Sequence, residues 1–215
     1  MSKQRLGQTP SQTVGPFFHY GLPWKGGADL IGDLNMGARL DLIPPGHDHL
    51  ADPRKRGKIA GQTIEISGTV LDGAGQPISD VMVEIWQANA AGRYAAPQDM
   101  REDLALDADF IGFGRSSTDV NGVYRFRTVR PGRVPGPGNA LQASHIAIGV
   151  MGRGLIKRLV TRLYFPDAAE NDDDPILALV SEARRGTLVA KADGAHKYRF
   201  DIVLQGENET VFFEF

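Results

Sequence analysis

The chain has 215 residues, long enough to bury a substantial core, and sets 24 Lys+Arg against 26 Asp+Glu. So even a balance argues against nucleic acid or an anionic membrane surface as the main partner, and no run approaches the roughly 18 apolar residues of a membrane helix. The absence of cysteine excludes disulfides, zinc–thiolate sites and a thiol nucleophile.

Met1–Arg5 is polar and carries no apolar leader, so the expected compartment is the cytoplasm. Residues 1–25 read as an extended N-terminal arm. Its "TPSQTVGPFF" (Thr9–Phe18) holds two prolines and a glycine, which favour extended or turned backbone over helix. Ala28–Lys58 is rich in Gly, Pro and Asp and reads as a long surface excursion. From Gly61 the pattern is β. "TIEISGTVLD" and "SDVMVEIWQAN" alternate on either side of a Gly/Pro turn, Asp72–Pro77. "GVYRFRTV" (Gly122–Val129), "SHIAIGV" and "LIKRLVTRLYF" (Leu155–Phe165) follow as strands. "DPILALVSEARR" (Asp174–Arg185) is the best helix candidate, acidic at its start and basic at its end. "HKYRFDIVLQ" and "ETVFFEF" are expected to close the chain as a hairpin across "GENE". Many short strands between turns predict an all-β fold. The expected architecture is one domain over 1–215, with an antiparallel β-sandwich core at 61–215, long loops and one or two short helices.

Four places carry chemistry. His47 and His49 flank Asp48 in an irregular loop, a spacing that more often means solvated histidines than a metal site. Tyr94 stands in a polar loop after a strand, where it either packs its ring or offers an oxygen donor. His145 lies on a strand whose same-face neighbours are Ala143 and Ala147, so a His-x-His metal platform is half present. Arg153, between two glycines at a strand end, has the fork geometry to take a carboxylate, or is a solvated surface arginine.

In order along the chain, "GTVLDGAGQPISDVMVEIWQANAAGRY", "FIGFGRSSTDVNGVYRFRTVRPG", "SHIAIGV" and "LVTRLYF" resemble the intradiol ring-cleaving dioxygenases. Those enzymes open catechols with O₂ at a mononuclear non-haem ferric iron. The arm "TPSQTVGPFF" and the terminal "RFDIVLQGENETVFFEF" are similar to the protocatechuate 3,4-dioxygenases, which are built from homologous α and β chains.

The resemblance implies an iron site of two tyrosines and two histidines. Tyr94 matches the first tyrosine and His145 the first histidine, but Val134 stands at the second tyrosine and Ala147 at the second histidine. The family's active chain has arginine where this chain has Gln142, and glutamine where it has Arg162. The implied reading is an α-like chain that binds no metal, with Tyr94, Val134, His145 and Ala147 as vestigial positions. Fe(III) would sit in a homologous β chain, in an αβ unit of a larger symmetric oligomer. Arg153, Thr13, Gly15 and Pro16 would then contact protocatechuate in the partner's pocket, where O₂ cleaves it to 3-carboxy-cis,cis-muconate. Two alternatives stand beside it: a self-sufficient dioxygenase with substitute ligands such as His19 or Tyr20, and a β-sandwich binding module without catalysis.

Overall fold

The computed structural model describes Gly15, residues 27–31 and residues 59–214. The arm and most of the excursion therefore lie outside the described residues. Eleven strands are described: β1 (Thr63–Leu71), β2 (Val81–Trp86), β3 (Phe113–Ser117), β4 (Val123–Val129), β5 (Val134–Pro135), β6 (Leu141–Gln142), β7 (His145–Gly152), β8 (Leu159–Tyr164), β9 (Lys191–Ala192), β10 (Lys197–Arg199) and β11 (Ile202–Val203). No helix among the described residues is long and apolar enough to cross a membrane.

The strands form two main sheets. In the first, β1 is central and pairs with β4 antiparallel and with β10 and β11 parallel. The second runs β3-β2-β7-β8, antiparallel throughout. β1 and β2 do not pair: the Asp72–Pro77 turn carries the chain from one sheet to the other. Asp72 Oδ1 accepts the N–H groups of Ala74 and Gln76 and so fixes this crossing.

Alternation produces the core. Every second residue of β1 from Ile64 is buried, and Ile64, Ile66 and Phe126 join Ile85, Ile148 and Leu163 of the other sheet in one apolar cluster. The backbone of Phe200 crosses β1 so closely that a Cβ at Gly68 would lie 1.8 Å from its carbonyl oxygen. That oxygen also accepts the buried Tyr124 hydroxyl at 2.5 Å. Glycine is therefore required at 68 for the C-terminal strands to reach β1.

Two sequence expectations are corrected. Asp174–Arg185 is not one helix: only α1 (Glu182–Arg185) is α-helical, after a 3₁₀ turn at Leu177–Leu179 and an extended Val180. The fully buried Asp174 carboxylate takes the N–H groups of Ile176, Leu177 and Ala143, while Leu177, Val180 and Leu188 pack with Ala143 and Tyr164 in a second cluster. Tertiary burial overrides the helical charge pattern. The terminal hairpin is also absent. Residues 196–205 supply the parallel strands β10 and β11, and the tail meets them through Thr210, whose N–H donates to Val203 O at 2.9 Å and whose Oγ1 accepts Val203 N–H at 3.0 Å. It then reaches the second sheet, with Phe213 N–H on Val160 O at 2.8 Å.

Candidate functional site

The side of the second sheet that faces away from the core carries the site. Trp86, Ala147 and Arg162 are register partners across β2, β7 and β8, and His145 stands opposite Tyr164. Trp86, His145 and Arg162, together with the loop that follows β2 and the small β5–β6 pair, border an open cavity of about 770 Å³.

The loop places Tyr94 by local chemistry. Asn89 Oδ1 accepts the N–H groups of Ala91 and Arg93, turning the chain directly after β2. Gly92 has φ +83°, and a Cβ there would lie 2.1 Å from Arg133 O, so only glycine lets the loop lie against the strand that follows. The Tyr94 N–H then donates to Asp99 Oδ2 at 2.8 Å. Its ring stacks on Trp86 with centroids 5.7 Å apart and planes 15° apart. Burial raises the pKa of its phenol, an effect opposed by the charges of Arg162 and Arg101. Among the described residues nothing hydrogen-bonds the Tyr94 hydroxyl.

His145 is nine-tenths buried and bonds through Nδ1 to the Ala143 carbonyl at 2.8 Å. A carbonyl only accepts, so Nδ1 carries the proton and Nε2 keeps a lone pair. Burial, then the charge of Arg162, lowers the imidazole pKa from 6.5 to about 4, which keeps the ring neutral. Its other neighbour, Tyr164, packs at 5.6 Å and donates its hydroxyl to buried Asp174; burial raises the pKa of this phenol as well.

Two arginines border the cavity. Arg101 is neutralised: its Nη2 lies 2.5 Å from Asp99 Oδ2 and 2.7 Å from Gly92 O, and the pairing holds the Asp99 carboxyl far below the usual carboxylate range. Arg162 has no carboxylate within ion-pair distance among the described residues. Its Nη1 donates to Gln142 Oε1 at 2.5 Å and lies 3.4 Å from the Tyr164 hydroxyl. Gln142 is itself the register partner of Val134.

The structure thus gathers Tyr94, Val134 and His145 around one cavity, with Ala147 in the adjoining row between Trp86 and Arg162. Arg153 is elsewhere. It follows the opposite end of β7, eight positions and roughly 26 Å of strand from His145. Its side chain is 71 % exposed and its Nε pairs with Asp80. Gly15 is exposed. Thr13, Pro16, His19, Tyr20 and the His47–His49 loop lie outside the described residues. Sequence reasoning missed Trp86, Asp99, Met100 and Arg101 as cavity residues. The Asp-x-Arg spacing of Asp99 and Arg101 was the one signal available.

The ferric ion implied by the resemblance does not fit this cavity. Among the described residues, Tyr94 and His145 are the two donors in place at the four matched positions, valine and alanine offer no electron pair at the other two, and Arg162 is the register partner of Ala147. Two protein ligands beside a fixed positive charge are too few to hold a tripositive ion specifically. No group of three or more His, Cys, Asp or Glu among the described residues is arranged to hold a metal.

Comparison with known proteins places this geometry in a family. The family described as Dioxygenase matches residues 44–206. The chain is 42 % identical over 217 residues to the protocatechuate 3,4-dioxygenase alpha chain of Burkholderia cepacia, covering 97 % of this chain and 98 % of that one. It is 40 % identical to the beta chain from the same organism over 79 % of this chain and 76 % of the relative. The dioxygenase domain of a carbohydrate-binding fusion protein from Streptomyces sp. SirexAA-E superposes with a TM-score of 0.55 at 24 % identity, covering 93 % of this chain and 99 % of that domain, a likeness of fold. The chain belongs to the intradiol dioxygenase family.

Proposed function

We propose that this chain acts as the alpha subunit of a protocatechuate 3,4-dioxygenase. It carries no iron itself and completes the substrate pocket of a homologous, iron-bearing beta chain. The paired enzyme cleaves the ring of 3,4-dihydroxybenzoate between its hydroxyl-bearing carbons, both atoms of O₂ entering 3-carboxy-cis,cis-muconate. The observation that carries the reading is the donor-poor cavity: Tyr94 and His145 remain, but Val134 and Ala147 stand where donors are needed and Arg162 is the register partner of Ala147. Near-full-length likeness to an alpha chain supports the same assignment.

What this chain contributes is binding and orientation. Arg153 is too far along β7 to serve its own cavity, and its exposed fork suits the carboxylate of a substrate held by a neighbour. Pairing through Nε leaves the two terminal nitrogens of the fork for that contact. Thr13, Gly15 and Pro16 of the arm are proposed to line the same neighbouring pocket, in a domain that spans 1–215. Removal of residues 1–16 should then impair turnover by the pair while the sandwich stays folded.

The test is to purify the chain alone and with its beta partner, and to measure iron per chain and the tyrosinate-to-iron visible band. The expected result is a colourless, iron-free chain beside a coloured, active complex. A coloured and active chain on its own would replace this reading with the self-sufficient enzyme, and His19 and Tyr20 would be the ligands to examine. Failure to associate with any ferric dioxygenase chain would favour the binding module.

A further inference from the structure

We propose that the cavity of this chain is itself a binding site for a small hydroxyaryl carboxylate, whose carboxylate pairs with Arg162 and whose ring hydroxyl donates to His145. The site lies wholly in this chain's own residues, so the inference stands apart from the pairing proposed above.

The cation comes first. A half-buried guanidinium is normally matched by a carboxylate, as Arg101 is by Asp99 in the same cavity. Arg162 is not matched so. Only its Nη1 has hydrogen-bond partners among the described residues, the neutral Gln142 and Tyr164. The Nε–H and both Nη2 protons remain for a ligand, which is the edge that takes a carboxylate bidentately. A relay runs from Arg162 through the Tyr164 hydroxyl to Asp174, yet that carboxylate is already occupied by three backbone N–H groups and the tyrosine. Among the described residues, Asp99 and Arg101 cancel and Arg162 is left without a carboxylate partner, so a monoanion would balance it.

The second contact is an acceptor. His145 is nine-tenths buried and its Nε2 lone pair has no partner among the described residues. An acceptor that faces the cavity without a protein partner suits a ligand that brings a hydroxyl donor. The two contacts are set apart by strand geometry. His145 pairs with Tyr164 and Ala147 with Arg162, so His145 and Arg162 occupy diagonal positions of the β7–β8 ladder, about 7–8 Å apart. Both side chains line the same cavity, so one ligand can meet the two.

The stacked Trp86–Tyr94 pair and the apolar Val134, Pro135 and Met100 line the same cavity, and the small Ala147 stands in the row between Trp86 and Arg162. An aromatic ring gains both burial and stacking there.

The test is calorimetric titration of the metal-free full chain with 4-hydroxybenzoate, benzoate and the neutral isostere 4-hydroxybenzamide. The acid should bind saturably with one site per chain, and the amide at least about tenfold more weakly. Benzoate should fall between them, and Arg162→Gln should erase the preference for acid over amide. Equal affinity of acid and amide for the unaltered chain, or absence of saturable binding, would overturn the proposal even if the variant failed to fold. Equal affinity of benzoate and 4-hydroxybenzoate would overturn the role given to His145.

Discussion

Gln142 on β6 and Arg162 on β8 are hydrogen-bonded, with Nη1 donating to Oε1 at 2.5 Å. In the family's active chains, by the resemblance, the first of these positions is arginine and the second glutamine. Here the pair is exchanged. The positive charge has moved onto the strand that faces Ala147, while the amide now spans to Pro135 O at 2.6 Å. One exchange thus agrees with the loss of the second histidine: a guanidinium opposite position 147 would oppose a cation and fills the role of a counter-charge for an anion. The same charge is the second cause, after burial, of the low pKa of His145. Departures that are separate in the sequence become one electrostatic change in the fold.

The role proposed for Arg153 depends on a neighbouring chain. Replacing it by alanine should lower kcat/KM of the paired enzyme for protocatechuate by about ten- to a hundredfold, the worth of one charge-assisted bond. Unsubstituted catechol lacks the carboxylate and should lose far less. Asp80 holds the Nε edge of Arg153, so Asp80→Ala should produce a milder loss in the same direction by loosening the side chain. Steady-state kinetics on both substrates checks this, and equal losses on the two would remove the carboxylate role.

The neutral burial of His145 predicts a pH dependence of stability. Its folded pKa, about 4, lies below the unfolded 6.5, so the unfolded chain binds more protons between those values. The favourable contribution is complete above about pH 6.5 and fades as pH falls towards 4, by about 3 kcal/mol in all. Asp99, Asp119 and Asp167 are held below the ordinary carboxylate value by their ion pairs and hydrogen bonds, so they act in a more acidic window. Denaturant midpoints of the chain and of His145→Leu should therefore diverge in slope between pH 4 and 6.5. Parallel curves would mean that His145 is protonated and accommodated in the folded chain.

Much of this was readable from residue order, for physical reasons that differ by element. β1 and β4 bury alternate residues against one core, so period two in the sequence reports them directly. β3 is "FGRSS", with no apolar alternation. It forms because β2 supplies a full antiparallel ladder, and Leu30 from the distant 27–31 segment covers Gly114. The broken helix at 174–185 was concealed because its decisive contacts, Asp174 to Ala143 and Tyr164, cross long stretches of chain. Tyr94 and His145 were legible through the motifs around them. The Trp86 stack and the Asp99–Arg101 pair were not, since they exist only once the loop after β2 has folded back onto the sheet.

Asp174 offers the sharpest test of that long-range architecture. It is fully buried, and its two oxygens accept Ala143 N–H at 2.7 Å, Leu177 N–H at 2.7 Å, Ile176 N–H at 2.9 Å and the Tyr164 hydroxyl at 3.1 Å. Asp174→Ala leaves three backbone donors without an acceptor in a dry environment, which should cost at least about 3 kcal/mol. Asp174→Asn keeps the shape and one acceptor oxygen but turns an amide N–H₂ towards a backbone donor, so it should lose less than alanine while still destabilising. Because Ala143 lies two residues before His145, the first residue of its strand, and Tyr164 packs on that imidazole, both variants should also weaken binding of 4-hydroxybenzoate in the cavity. Urea denaturation followed by calorimetry orders the three proteins. An alanine variant within about 1 kcal/mol of the unaltered chain would mean that water satisfies these donors and that the segment does not depend on the carboxylate.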